Sequence, residues 1–323
     1  MCIRDRRYTP RFPAPDRCGD CFSTREMSSA HEAFREQIDK ATVLVEALPY
    51  IQSFRGKTFL IKLGGSVMEN PNLLDALVRD VVLLEAVGIN PVIVHGGGKA
   101  ISAAMERAGI DAKFVSGLRV TDAESVAIVE QTLSKEVNPR LVEMVKSHGG
   151  RSVGVFGKDV FKAERLKGRG ENGEEVDIGA VGYVTSCETE VVEALVAYEA
   201  VPIVSPLATE GGTGQTLNVN ADTAASALAT AMKVSKLVYI SDVLGVMRDP
   251  DDPTSLIHSI HCGEVEGLAE SGVISGGMLP KLRSAVEAIE AGVGKVHLID
   301  GRFAHSLLLE IFTQTGVGTE IVP

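Results

Sequence analysis

No apolar run in this chain approaches the ~18 residues that a membrane-spanning helix requires. Net positive charge is lacking as well. The formal charge is −11, which argues against broad binding to nucleic acid or to an anionic membrane surface. Cysteine is sparse: Cys2, Cys18, Cys21, Cys187 and Cys262. Cys18-Gly19-Asp20-Cys21 has the C-x-x-C spacing, but no second Cys/His pair lies nearby to complete a zinc site. An odd cysteine count without an export signal fits a reducing cytoplasm. No His/Cys/Asp cluster has metal-ligand spacing, and no internal repeat is present. The pattern G-x-x-x-x-G-K-[ST] does not occur, which excludes a P-loop enzyme.

Glycine is plentiful at 33 residues, and hydrophobic residues reach 45%, as suits an α/β protein with many tight turns. A chain of 323 residues buries a sizeable core, in one large or two smaller domains. Two glycine turns stand out. Lys62-Leu63-Gly64-Gly65-Ser66 ends the apolar run Thr58–Ile61, and His95-Gly96-Gly97-Gly98-Lys99 ends Pro91–Val94. Each opens a helix-like stretch. Glycine lets the backbone approach an anion closely, and the N–H groups of the turn and helix start can hold phosphate or carboxylate. Two such turns on successive strands, beside a lysine, predict phosphoryl transfer. His95 reads as a hydrogen-bonding scaffold.

Residues 1–26 are rich in Arg, Pro and Cys without helical or strand period. They read as a disordered or non-native leader, with Met27 as the expected start. Ser29 and Glu32 make a capping box, and Phe34, Ile38, Ala41, Val45 and Leu48 follow at helical spacing. Pro49 is expected to end that helix. From Lys57 the chain alternates strand and helix, with Asn70-Pro71 as N-cap and first residue of one helix. A βαβ unit places parallel strands side by side and both turns at one sheet edge. The pattern further predicts a long helix over 123–146, a strand over 151–156, a polar hairpin over 158–177, and strands near 202–205, 237–241, 295–299 and the C-terminus. A hinge is expected near 234–236.

Four more segments join the two glycine turns in order. They are Gly117-Leu118-Arg119-Val120-Thr121, Asn218-Val219-Asn220-Ala221-Asp222, Ser241-Asp242-Val243-Leu244-Gly245-Val246 and Gly276-Gly277-Met278-Leu279-Pro280-Lys281. With them the chain closely resembles the acetylglutamate kinases of the amino acid kinase family, over about 58–322. The resemblance implies a three-layer αβα sandwich around a central, mainly parallel open sheet, preceded by an N-terminal helix. It implies an oligomerisation helix over 27–56, an N-acetylglutamate-binding and dimerisation lobe over 57–235, and an ATP-binding lobe over 236–323. The implied reaction is MgATP-dependent phosphorylation of the γ-carboxylate of N-acetyl-L-glutamate, the second step of the acetylated route to arginine. Magnesium is expected on the nucleotide phosphates.

The resemblance also assigns residues. Lys62 and Lys281 match the lysines that stabilise the transferring group from the acceptor and the ATP side, and Asp222 matches the carboxylate orienting both. Asp222 also stands where a helix N-cap would. Arg119 matches the arginine that takes the substrate α-carboxylate as a bidentate fork. Asn218 matches a second substrate contact. Gly96 and Gly97 are expected to offer N–H groups to the substrate, Gly64 and Gly65 to the phosphates. Ser241, Asp242, Gly245 and Val246 match the segment wrapping the nucleotide, with Val273, Ile274 and Ser275 lining the base.

Two features resemble the arginine-inhibited subgroup: the helix before Lys57 and the tail from His297 to Thr319. They imply a hexamer built as a trimer of dimers and an arginine site with Glu310, Gly316, Gly318 and Tyr50. A PII-type signalling protein is a further partner such kinases take, which no motif here shows. Leu63 and Ser66-Val67 depart from the Tyr and Asn-Ala of many arginine-sensitive members. Alternatives are a related kinase acting on carrier-linked α-aminoadipate, and a non-catalytic arginine-sensing module. The first is disfavoured by Gly117–Thr121. The second predicts loss of Lys62, Asp222 or Lys281 and a following acetyltransferase segment; all three residues are present and none follows before Pro323.

Overall fold

The computed structural model of the chain describes residues 34–169, 174–274 and 278–323, without the side chains of Glu36 and Ser66. The expected leader, the Ser29–Glu32 capping box, the hairpin tip 170–173, Ser275 and Gly276-Gly277 lie outside them. The chain divides into two units, Met1–Leu48 and Pro49–Pro323. In the first, the described chain is helical from Arg35, and Phe34, Ile38, Val45 and Leu48 are exposed. Helix α1 (Arg35–Phe54) contains Pro49 instead of ending before it. Proline has a helix-compatible φ and removes one N–H, so it weakens the helix without having to end it. Bonding resumes directly: Arg55 N–H donates to the Ile51 carbonyl at 3.0 Å.

In the second unit an eight-stranded sheet runs in the order β12-β14-β13-β11-β1-β2-β8-β5. These strands are β1 (Thr58–Leu63), β2 (Asn90–His95), β5 (Ser152–Val155), β8 (Val201–Val204), β11 (Lys236–Ser241), β12 (Ser259–His261), β13 (Lys295–Asp300) and β14 (Thr319–Val322). Neighbours are parallel except β13 with β14. Side chains of a strand alternate between faces, and β1 shows the consequence. Leu60 packs with Ala224 and Leu228 of α8 (Ala221–Met232) and Leu282 of α10 (Met278–Glu290). Phe59, Ile61 and Leu63 pack with Leu74 and Val78 of α3 (Pro71–Ala86) and Leu141 of α6 (Asn138–Ser147). Helices thus cover both faces. Lys62, two residues beyond Leu60, shares the α8 face.

Asn70 caps α3 as expected, accepting from the Asn72 and Leu73 N–H groups at 3.1 and 3.3 Å. The long helix over 123–146 is helical throughout but not uniform. A π-helical segment, Thr132–Val137, joins α5 (Ala123–Gln131) to α6. A wider turn re-aims the side chains that follow it. The hairpin is longer than expected: β6 (Phe161–Arg169) pairs antiparallel with β7 (Glu175–Cys187). With β9 (Leu207–Glu210) and β10 (Thr216–Val219) it closes a four-stranded barrel. Strands β3 (Phe114–Val115) and β4 (Leu118–Arg119) form a separate small ribbon.

Candidate active site

Strands β1, β2 and β11 end side by side, because Leu63 pairs with both His95 and Ile240. Ligands of open α/β sheets bind beyond such carboxyl ends. A cavity of about 480 Å³ opens there, lined by Lys62, Gly65, Gly96, Gly97, Arg119, Asn218 and Asp242 among others. The first turn leads into α2 (Gly65–Glu69) and the second into α4 (Gly98–Arg107). Both turns need glycine for close approach. A Cβ on Gly64 would meet the Ile240 carbonyl at 2.5 Å, and one on Gly97 would meet Leu133 of the π segment at 2.4 Å.

The donors differ from expectation in one respect. The Gly64 N–H donates to Ile240 O and the Gly96 N–H to Leu63 O, each at 2.9 Å. The sheet ladder continues past the strand ends and uses them. Gly65 and Gly97 remain at the cavity wall, where the N–H groups of a helix start lack intrahelical acceptors.

Lys62 is the central cation, its side chain 11% exposed and its Nζ 2.6 Å from Asp222 Oδ1. Asp222 is not the cap of α8. Asn220 is, accepting from the Asp222 and Thr223 N–H groups at 2.7 and 3.3 Å. This leaves the Asp222 carboxylate in the first helical turn, free to hold Lys62. Arg119 is buried, which lowers its pKa. Its guanidinium lies over the Phe114 ring at 4.7 Å and donates to Gly98 O and Ser102 Oγ at 2.7 and 2.8 Å. Asn218 donates to Thr121 Oγ at 3.2 Å, and Thr121 Oγ donates to Arg119 O at 3.0 Å. One buried hydroxyl therefore links two expected substrate contacts. His95 is the expected scaffold. Burial lowers it to about 4, and its Nδ1–H donates to Gly96 O at 2.8 Å while Asn138 Nδ2 donates to Nε2 at 3.3 Å.

Lys281 stands in the first turn of α10 and Gly64 under the turn; neither lines this cavity. Asp242 does, but Ser241, Gly245, Val246, Val273 and Ile274 do not. Val246 and Ile274 are buried in the core, and the Val246 N–H donates to Thr319 Oγ at 2.8 Å. Glu69 escaped the sequence reading, and Lys99 was read only as the end of the second turn; paired with each other, they tie the two turns at the cavity wall. Among the described residues no cluster of three or more His, Cys, Asp or Glu could hold a metal.

A second cavity of about 330 Å³ shares no lining residue with the first. Tyr50, Lys236, His297, Glu310 and Gly316 line it. Lys236 Nζ donates to His297 Nε2 at 2.8 Å, and His297 Nδ1 donates to Glu310 Oε1 at 2.7 Å. Glu310 Oε2 accepts from the Val317 and Gly318 N–H groups at 2.8 and 2.9 Å. Burial lowers Lys236 to about 8 and lowers His297 as well. Burial alone would raise Glu310, but the His297 and backbone bonds outweigh it and hold the carboxyl below its usual range.

Fold and cavity together give an open α/β protein whose strand ends carry two glycine turns, Lys62 and Arg119 around one cavity. The chain belongs to the amino acid kinase family, whose profile matches residues 57–300, and within it stands with the acetylglutamate kinases, which are phosphotransferases. It is 55% identical over 285 residues to the acetylglutamate kinase of Akkermansia muciniphila, covering 88% of this chain and 96% of that one. It is 46% identical over 291 residues to that of Heliobacterium modesticaldum, covering 88% and 98%. Among solved structures, N-acetylglutamate synthase from Neisseria gonorrhoeae with coenzyme A and N-acetyl-glutamate superposes with a TM-score of 0.76 at 27% identity, over 88% of this chain. This chain spans 63% of the synthase chain. The same synthase with coenzyme A and L-arginine gives a TM-score of 0.72 at 26% identity, covering 87% of this chain and 65% of that one.

Proposed function

We propose that the chain transfers the γ-phosphoryl group of ATP to the γ-carboxylate of N-acetyl-L-glutamate, giving N-acetyl-L-glutamyl 5-phosphate and ADP in the arginine pathway of the cytoplasm. The observation that carries this reading is the convergence of Lys62–Asp222, Arg119, Asn218 and both glycine turns on one cavity. The acceptor carboxylate has no proton to lose, so no general base is required. What the reaction needs is charge stabilisation and alignment, since acceptor and γ-phosphate repel one another. Arg119 takes the α-carboxylate with its remaining donors and Asn218 a second polar group, which turns the γ-carboxylate toward Lys62. Asp222 fixes the Lys62 ammonium where charge develops. Lys281 serves the leaving side. Magnesium, bound to the nucleotide phosphates, neutralises part of their charge. A coupled assay of ADP release tests this, run with acetylglutamate, glutamate and a carrier-linked α-aminoadipate. Turnover confined to acetylglutamate is expected, and preference for another acceptor would refute the assignment.

We further infer feedback inhibition by L-arginine at the second cavity, in a hexamer assembled as a trimer of dimers. The cavity between Tyr50 and Glu310 supports the first part, and the arginine complex of the related synthase is consistent with it. The exposed Phe34, Ile38, Val45 and Leu48 support the second, since burying each such side chain gains ~1.5–3 kcal/mol. Deleting residues 1–48 spares Tyr50 and every residue of the first cavity. It is expected to give active dimers with weakened arginine inhibition. A truncated protein that stays hexameric in size-exclusion chromatography with light scattering would exclude the helix as the assembly element.

A further inference from the structure

The two helices that carry Asp222 and Lys281 pack on each other. Ala225 and Ala229 of α8 and Ala285 and Ala288 of α10 are all buried. Alanine surfaces fill space but hold register weakly, because they offer no directional contact. Three hydroxyl groups interrupt this packing. Ser226 follows Asp222 by four residues and Ser284 follows Lys281 by three, so each serine lies one turn along the same face as its partner. Ser284 Oγ donates to Ser226 Oγ at 3.4 Å. Tyr239 of β11, 6% exposed, belongs to the same buried cluster as these alanines. Its hydroxyl donates to the Asp222 carbonyl at 3.4 Å, which ties β11 to the start of α8, as Ser284 and Ser226 tie α10 to α8. Tyr239 is also the register partner of Lys62 across β1 and β11. The other polar tie on α10, Arg283 to Glu266, is more than half exposed on both side chains and so contributes little.

We propose that Tyr239, Ser226 and Ser284 form a positioning cluster that sets Lys281 relative to Asp222 and Lys62. None of the three lines the candidate active site. They act through the two helices, which their hydroxyl bonds tie to each other and to β11. A displacement of about 1 Å in a catalytic group reduces turnover by up to ~10²-fold, so a weakened cluster is expected to show in kcat before it shows in affinity. The inference rests on the acetylglutamate kinase reading.

Tyr239→Phe removes one oxygen and keeps the ring. In the full-length protein with MgATP and acetylglutamate, kcat is expected to fall about tenfold, with both KM values within about twofold of wild type. A positioning role requires more: in a Lys281→Ala background the same change is expected to have no further effect on kcat. Ser284→Ala is expected to behave like Tyr239→Phe, and Ser284→Thr, which keeps a hydroxyl, to restore most of the loss. If Tyr239→Phe does not fold, the Ser284→Ala and Lys281→Ala cycle answers the same question. A Tyr239→Phe enzyme with wild-type kcat overturns the proposal, and so does an equal tenfold loss in the Lys281→Ala background. Wild-type turnover is measured alongside. Its absence refutes the proposed function, whereas normal wild-type turnover with an unaffected Tyr239→Phe refutes only this inference.

Discussion

The two cavities of the second unit use similar residue types to opposite ends. In the first, Lys62 meets one carboxylate and still lines open space, and Arg119 keeps donors beyond its bonds to Gly98 and Ser102. In the second, lysine, histidine and glutamate form a buried chain in which both His297 nitrogens and both Glu310 oxygens are hydrogen-bonded. The difference is one of unspent capacity. A site that acts on a moving charge needs preorganised donors without a full complement of partners. A buried hydrogen-bonded chain stabilises its surroundings, and a ligand engages His297 or Glu310 only by adding to or replacing bonds already made. Changes in the first cavity should therefore alter turnover with little effect on stability, and changes in the second should do the reverse.

The sharpest way to break that comparison lies in the first cavity. Lys62→Ala is expected to lower kcat by roughly 10²–10³, as for loss of one preorganised donor, with Lys281→Ala similar. Thermal unfolding of Lys62→Ala should change little, since its partner Asp222 is 30% exposed and can be hydrated. A folded variant with near-wild-type kcat would remove that lysine from the mechanism.

Next in size is Arg119→Lys. The substitution keeps the charge and loses the fork, and with it one or more charge-assisted bonds. The KM for acetylglutamate is expected to rise about 10- to 100-fold, with the KM for ATP within about twofold. Parallel changes in both constants would show that Arg119 serves the cavity as a whole and not the acceptor.

How far these sites could be read from the sequence follows the same division. The first was legible because its residues cluster at strand ends in short motifs. Glycine turns after apolar runs, and Asn70-Pro71 at a helix start, each have a local physical cause. The Lys236–His297–Glu310 chain was legible only in Glu310, because Lys236 and His297 lie 61 residues apart and meet through sheet pairing. Asp222 was ambiguous for a local reason: Asn220 and Asp222 are both good caps, and only the fold decides between them. The π segment gave no signal, since one extra residue in a turn barely disturbs helical periodicity. Pro49 misled in the other direction, as a breaker that the helix absorbs.

In the second cavity Glu310→Gln tests the three bonds of the carboxylate. An amide cannot accept from His297 and from two backbone N–H groups at once without turning its NH₂ on a donor. Unfolding stability is expected to fall by about 1–3 kcal/mol, the cost of an unsatisfied buried group. Without arginine, kcat should stay within about twofold, because the two cavities share no residue. A large fall in basal kcat with unchanged stability would invert the comparison.

The smallest effect concerns a buried group outside both cavities. Asp80 on α3 is 1% exposed, its Oδ1 is 2.5 Å from His305 Nδ1, and its Oδ2 has no hydrogen-bond partner among the described residues. Burial raises its pKa from 3.8 to about 6, outweighing the bonds from His305 and the Leu308 backbone. The folded protein therefore holds this proton more tightly than the unfolded chain. The resulting stabilisation is fully present below about 3.8 and is lost as pH rises through about 6. Asp80→Asn cannot ionise, so it escapes that loss but gives up the ionic part of the His305 contact. The stability of the variant relative to wild type is expected to rise by ~1 kcal/mol or more between about pH 4.5 and 8. That corresponds to roughly 1–2 °C in Tm per kcal/mol for a chain of 323 residues. Parallel Tm profiles for the two proteins, or a difference that shrinks toward alkaline pH, would show that Asp80 is already ionised in the acid range and that its buried oxygen is satisfied in solution.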